Sequence, residues 1–235
     1  MCGRAYETYS NEELSFRYLN RRPLTLDGFF PIYNLCPTMN SPVLRLVKGD
    51  RQFEMMHWQL IPDWEPVFKT KLSTINAKSE TLFTSKLYRD LVIRQRCIVP
   101  LSGFFEWKTE GKRKRPFRIQ LVDDPIMSVA GVWETWCSGR PEERRSFSIV
   151  TTAANPFMSG IHERMPVILG RADEDAWLDP ERNDPNLLQK LLKPCPDSWL
   201  TAVEVSSLVN SAKNNGPELL VPATEPQVGQ IFLFE

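Results

Sequence analysis

The sequence predicts one α+β domain, and three observations carry that expectation. Four stretches in succession, "RCIVPLSGFFEWK", "PFRIQLV", "IMSVAGVWETW" and "FSIVTTAA", have the β-branched and aromatic texture of strands. Tight, charged turns separate them, notably "TEGKRKR" and "CSGRPEERR". Helical signals sit before and after this block, and no repeat, low-complexity linker or break in composition divides the chain.

In "SNEELSFRYLN", Ser10 stands three residues before Glu13, a capping-box spacing that starts a first short helix. The Pro-rich connector "RRPLTLDGFFPIYNLCPTMNSP" reads as loop with brief extended pieces. "VLRLVKGDRQFEMMHWQLI" reads as two strands joined at Lys48-Gly49-Asp50. "SETLFTSKLYRDLVIRQR" has helical spacing of Leu82, Leu87, Leu91 and Ile93, with basic residues at its end, where the helix dipole favours them. After the four strand stretches, Asn155-Pro156 forms an N-cap with proline in the first turn of a brief helix leading into "GIHERMP". "VILG" is a strand, "ADEDAWL" and "NLLQKLLK" are helices, and "TAVEVSSLV" is a strand. The tail "EPQVGQIFLFE" suits either a late edge strand or a partner-binding segment.

The 235 residues can bury one large core or two small ones. Twenty-nine Lys and Arg balance twenty-nine Asp and Glu, so no global field draws the molecule to nucleic acid or membrane, and any polyanion site is a local patch. The N-terminus lacks the apolar run of a secretory signal, and no stretch approaches a membrane span in length. Five scattered cysteines, none in a C-x-x-C pair, and only two histidines argue against structural zinc. A reduced, cytoplasmic setting fits this usage.

The chain opens "MCGR". Removal of Met1 would leave Cys2 with an α-amine and a thiol on adjacent carbons, titrating near ~8 and ~8.5 respectively. Such an amine attacks an aldehyde to give a Schiff base, and the thiol can close onto the imine carbon as a five-membered thiazolidine. The bland alternative is chance placement of a cysteine at position 2. In "GFFEWK", strand alternation puts Phe104 and Glu106 on one face and Phe105 and Trp107 on the other. Aromatics on both faces favour burial, which would raise the Glu106 carboxyl toward a general-acid range; a solvated Glu106–Lys108 pair is the alternative. His162, in a polar segment beside a strand, is the better proton-transfer candidate, while His57 within a strand is a packing residue. Asn76 could orient an amine or sugar oxygen and Lys78 could meet a phosphate, although "NAKSE" alone is only a helix start. Arg4, Arg164 and Lys112 to Arg115 are possible backbone contacts, and Trp58, Trp64 and Trp107 possible stacking surfaces. Hairpin-tip charges are more often solvated, and tryptophans at strand spacing more often serve a core.

Singly these signals are weak, but their order is specific. "MCGR", "YNLCPT", "WQLIPDW", "INAKSE", "GFFEWK", "VTTAAN", "IHERMP" and "SAKNNGPELL" form a series that resembles the SRAP (SOS response-associated peptidase) family of abasic-site-processing proteins. The resemblance spans residues 1–223, leaving 224–235 as a tail. It implies a curved, mostly antiparallel, barrel-like β-sheet core with flanking helices and a groove for single-stranded DNA. It also implies loss of Met1, autocatalytic in many members, and crosslinking of the mature cysteine to the aldehyde of an abasic site, with weak lyase activity as a side reaction. By motif, Cys2 matches the nucleophile, Asn76 the amide that orients it, Glu106 the acid/base and His162 the second proton-handling group. Arg4, Asn34, Trp64, Lys78, Thr151 and Arg164 fall at positions that look like DNA contacts. No cofactor, metal or membrane is implied, the molecule is expected to be a monomer, and a bacterial member would associate with the nucleoid. Two departures stand out: Lys78 replaces a frequent arginine, and Gln59 a common glycine.

Two other function classes share parts of this pattern. An N-terminal-cysteine amidohydrolase or amidotransferase also begins Met-Cys-Gly, and a noncatalytic reader of single-stranded or modified DNA would use the same basic and aromatic residues.

Overall fold

A computed structural model describes residues 2–223. Strand β1 (Ala5–Glu7) leads into helix α1 (Asn11–Tyr18), where Ser10 and Glu13 form the expected reciprocal capping box. The connector holds one extended piece, β2 (Ile32–Leu35), before the hairpin of β3 (Asn40–Val47) and β4 (Asp50–Trp58). Val47 pairs with Asp50, so Lys48 and Gly49 make a two-residue turn, with φ of 52° and 86° as a type I′ turn requires.

Two expectations need correction in the next segment. Asn76–Lys78 is not a helix start but a strand, β5, paired in parallel with a later strand. Downstream, only α2 (Leu91–Arg94) of the expected helix is α-helical. The rest is a chain of turns, with three-residue closures (Thr84 N to Thr81 O, Tyr88 N to Ser85 O) alternating with four-residue ones. Hydroxyls break the ladder: Thr84 Oγ1 donates to the Thr81 carbonyl and Ser85 Oγ accepts from the Leu87 amide. Of the spaced residues, Leu82 and Leu91 are buried and Leu87 and Ile93 are partly buried against the same core, which also takes Tyr88 and Val92.

The strand block gives β6 (Arg96–Leu101), β7 (Gly103–Glu110), β8 (Arg113–Leu121), β9 (Met127–Trp136) and β10 (Arg144–Ala153). Then come α3 (Pro156–Ser159), capped by Asn155 as expected, β11 (Arg164–Pro166), β12 (Ile168–Leu169) and α4 (Arg171–Leu178). "NLLQKLLK" is helical only over α5 (Pro185–Gln189), and β13 (Leu200–Glu204) ends the strand count. The tail 224–235, read as edge strand or partner segment, lies outside the described residues.

Strands β4, β3, β6, β9 and β10 close into a ring, since β10 pairs with both β9 and β4. A five-membered ring cannot alternate direction all the way round. One pair must run parallel, and it is β10 with β4, through Ser146–His57 and Phe147–Trp58. A second, wholly antiparallel sheet runs β13-β8-β7-β1-β2. The fold is therefore α+β with a closed five-stranded barrel, extra strands and flanking helices.

Alternation along the barrel strands serves two cores. Cys97, Val99, Val129, Phe147 and Ile149 join Phe104 and Ile119 of the second sheet, with Cys2 among them. The opposite parity, Ile98, Ala130, Val132 and Val150, meets Leu14, Tyr18 and Trp177 of the helices. Gly103 lets the second sheet close up: a Cβ there would lie 2.4 Å from the Ile119 carbonyl oxygen and 2.3 Å from the Tyr6 hydroxyl. On β1, Glu7 is fully buried and accepts a hydrogen bond from Ser41 Oγ. Burial pushes its carboxyl up to about 8, against the lowering effect of Ser41.

Candidate active site

Four side chains from distant segments converge where the chain start runs between the barrel and the second sheet. Phe105 N–H donates to the Arg4 carbonyl at 2.9 Å, continuing the β1–β7 pairing back toward Cys2 and setting Glu106 beside the terminus. From the other side, β5 pairs Asn76 with Ile149 of the barrel, and Asn76 Nδ2 donates to the Cys2 carbonyl at 2.9 Å. Beneath Asn76, the Tyr88 hydroxyl lies 3.1 Å from Ser148 Oγ, which donates to the Thr74 carbonyl at 2.5 Å. These two hydroxyls, which no sequence motif singled out, brace the short strand.

Cys2 is fully buried. Burial, and secondarily the neighbouring Glu106 carboxylate, push its thiol well above the usual range, so it rests as SH. Glu106 is 4% exposed, and burial raises its carboxyl while His162 opposes the shift. His162 Nε2 lies 4.0 Å from Glu106 Oε2. His162 Nδ1 lies 3.0 Å from the Arg164 amide and 3.2 Å from the Arg164 carbonyl, so the Arg164 backbone orients the ring with Nε2 facing Glu106. A carboxyl shifted toward neutrality and an imidazole oriented by the Arg164 backbone thus stand beside a buried thiol, an arrangement suited to moving protons at a small reacting centre.

The six expected DNA contacts differ in exposure, with Arg4 and Arg164 intermediate. Trp64 is 61% exposed and Lys78 is exposed at the end of β5. Thr151 and Asn34 are buried instead. Asn34 Nδ2 donates to the carbonyls of Ser211 (3.0 Å) and Asn214 (2.8 Å), holding that loop in place. Arg4 Nη1 donates to Asn34 Oδ1 at 2.8 Å and the Val209 carbonyl at 2.6 Å, with its guanidinium over Trp107. Trp107 Nε1 in turn donates to Asn210 Oδ1 at 2.7 Å. Arg4 and Asn34 therefore shape a wall of the site. Arg164 donates to the Thr151 carbonyl at 2.8 Å and forms a two-pronged pair with Glu80. Glu80 was not singled out from the sequence; it lies in the turn that follows β5, closed by the Thr81 amide donating to the Lys78 carbonyl at 3.1 Å.

Among the described residues, no three His, Cys, Asp or Glu side chains group as metal ligands, and no helix is long and apolar enough to cross a membrane.

Comparison with known proteins supplies the remaining observation. The family model described as SOS response associated peptidase (SRAP) matches residues 1–212. The abasic site processing protein YoqW of Bacillus subtilis is 36% identical over 222 residues, covering 94% of this chain and 99% of that one. The abasic site processing protein HMCES of Xenopus tropicalis is 30% identical, covering 91% of this chain and 72% of its own length. A crystal structure of a Bacteroides thetaiotaomicron protein superposes with a TM-score of 0.79 at 27% identity, over 95% of this chain and all of that one.

Proposed function

The chain belongs to the SOS response associated peptidase family of abasic-site-processing proteins, and from that premise we propose that Cys2, once Met1 is removed, forms a covalent thiazolidine crosslink to abasic sites in single-stranded DNA. One observation carries the reading: Asn76 grips the Cys2 carbonyl while Glu106 and His162 face each other at 4.0 Å beside it.

Hydrolysis of the Met1–Cys2 bond needs a base for water and an acid for the departing amine, and the raised carboxyl of Glu106 suits both. The strand is then held by phosphate contacts and base stacking rather than base-edge readout, through exposed Trp64 and Lys78 and the partly buried fork of Arg164. His162 assists opening of the abasic sugar to its aldehyde. The Cys2 amine adds to the carbonyl carbon, and Glu106 protonates the departing hydroxyl, so water leaves as the imine forms. The thiol then adds to the imine carbon and its proton ends on nitrogen, closing the ring. A thiol held as SH suits this order, because the amine acts first and sulfur is needed only for closure. The resulting adduct shields the lesion from strand cleavage, and release from the imine stage would give the weak lyase side reaction. We assign the activity to a monomer in the compartment that holds the DNA.

Mature protein mixed with an oligonucleotide bearing one abasic site should give a shifted band on a denaturing gel, lost in Cys2→Ala. Equal crosslinking by both would remove the cysteine from the mechanism. Glu106→Gln should retain Met1 by intact mass and, in protein matured by other means, crosslink ~10²-fold or more slowly.

A further inference from the structure

We infer that Glu80 is a built-in competitor of the DNA backbone: its carboxylate occupies the guanidinium fork of Arg164 that a phosphate would take, and so limits the grip on undamaged single strands. The inference rests on the DNA-binding reading above. Both Nη atoms of Arg164 point to Glu80, Nη2 donating to Oε2 at 2.9 Å and Nη1 donating to Oε1. Two carboxylate oxygens and two non-bridging phosphate oxygens present the same bite to this fork, so the two anions exclude one another.

The surroundings decide the sign. If Glu80 were needed to hold Arg164, removing it would weaken binding. Arg164 is already anchored elsewhere, because Nη2 also donates to the Thr151 carbonyl at 2.8 Å and the Arg164 backbone is tied to the His162 ring at 3.0 Å. The arginine side chain is 15% exposed and fixed; Glu80 is 49% exposed and can swing into solvent when a phosphate arrives. Lys78 is exposed and pairs across β5 and β10 with Thr151, whose carbonyl holds Arg164, so both cations mark one edge as the side a backbone approaches. Arg164 holds the Glu80 carboxyl below the usual range, so at neutral pH the competitor is charged.

The test measures fluorescence anisotropy of a labelled oligothymidine without an abasic site, across a salt series, with full-length wild type, Glu80→Gln, Arg164→Gln and the double variant. Glu80→Gln should bind roughly three- to tenfold tighter near 0.1 M salt, with a salt slope steeper by about one. In the Arg164→Gln background the same change should have no effect. Circular dichroism melting checks that each variant is folded. Equal or weaker binding by Glu80→Gln overturns the inference, and so does an equal gain in both backgrounds, which would mark a general charge effect. If neither wild type nor Glu80→Gln binds the strand at all, the DNA reading itself fails and takes this inference with it.

Discussion

Replacing Glu7 by glutamine should make the fold more stable at alkaline pH and leave it nearly unchanged in acid. Glu7 is fully enclosed, and its carboxyl is pushed up from 4.5 to about 8. Below about pH 4.5 the acid is protonated whether the chain is folded or not, and its full contribution is present. As pH rises toward about 8 the unfolded chain releases this proton while the folded one keeps it, so unfolding gains free energy and stability falls. Above about pH 8 both forms are ionised and the slope ends. At about 1.4 kcal/mol per tenfold change in proton affinity, the loss across the window is on the order of 5 kcal/mol. Glutamine keeps an oxygen for Ser41 and has an amide donor in place of the acid's OH, but has nothing to ionise. For a domain of this size about 1 kcal/mol corresponds to roughly 2–4 °C. The melting temperature of Glu7→Gln should therefore exceed that of the wild type by on the order of 10 °C at pH 8.5 and by little at pH 5. Melting both proteins at half-unit pH steps gives the difference directly, and other titrating groups cancel in it. A difference that does not change with pH would refute the burial argument.

Two further changes test the framework around the site. Gln59 holds φ at 145°, a region that side chains resist, so Gln59→Gly should add about 1 kcal/mol in urea unfolding after glycine's own entropic cost. Arg96 is buried, and its guanidinium donates to the carbonyls of Val92 (2.7 Å), Ile93 (2.8 Å), Trp177 (2.5 Å) and Arg182 (3.0 Å), tying the ends of α2 and α4 together. Lysine cannot fan out to all of these acceptors, so Arg96→Lys should lower stability by about 3 kcal/mol in the same assay; a loss below about 1 kcal/mol would show the carbonyls satisfied another way.

The long strands were legible because runs of β-branched and aromatic residues, broken by charged turns, leave little else for the chain to do, as β7 and β9 show. The three-residue strands β1 and β5 were not, since three residues carry no period and exist only because a neighbour supplies their hydrogen bonds. The turns over 79–90 show the converse: apolar spacing marked Leu82, which is buried, and Leu87, which is partly buried, but missed Tyr88, and local hydroxyl competition decided the backbone. By itself the sequence determined the chemistry on offer, namely an N-terminal cysteine after Met1 and a series of motifs bearing Asn76, Glu106 and His162. Tertiary structure alone decided how those groups are used. Burial depends on contacts between residues far apart in the chain, so only the closed barrel and second sheet could bury the Cys2 thiol, raise Glu106, set His162 4.0 Å from Glu106 and pair Arg164 with Glu80, 84 residues away.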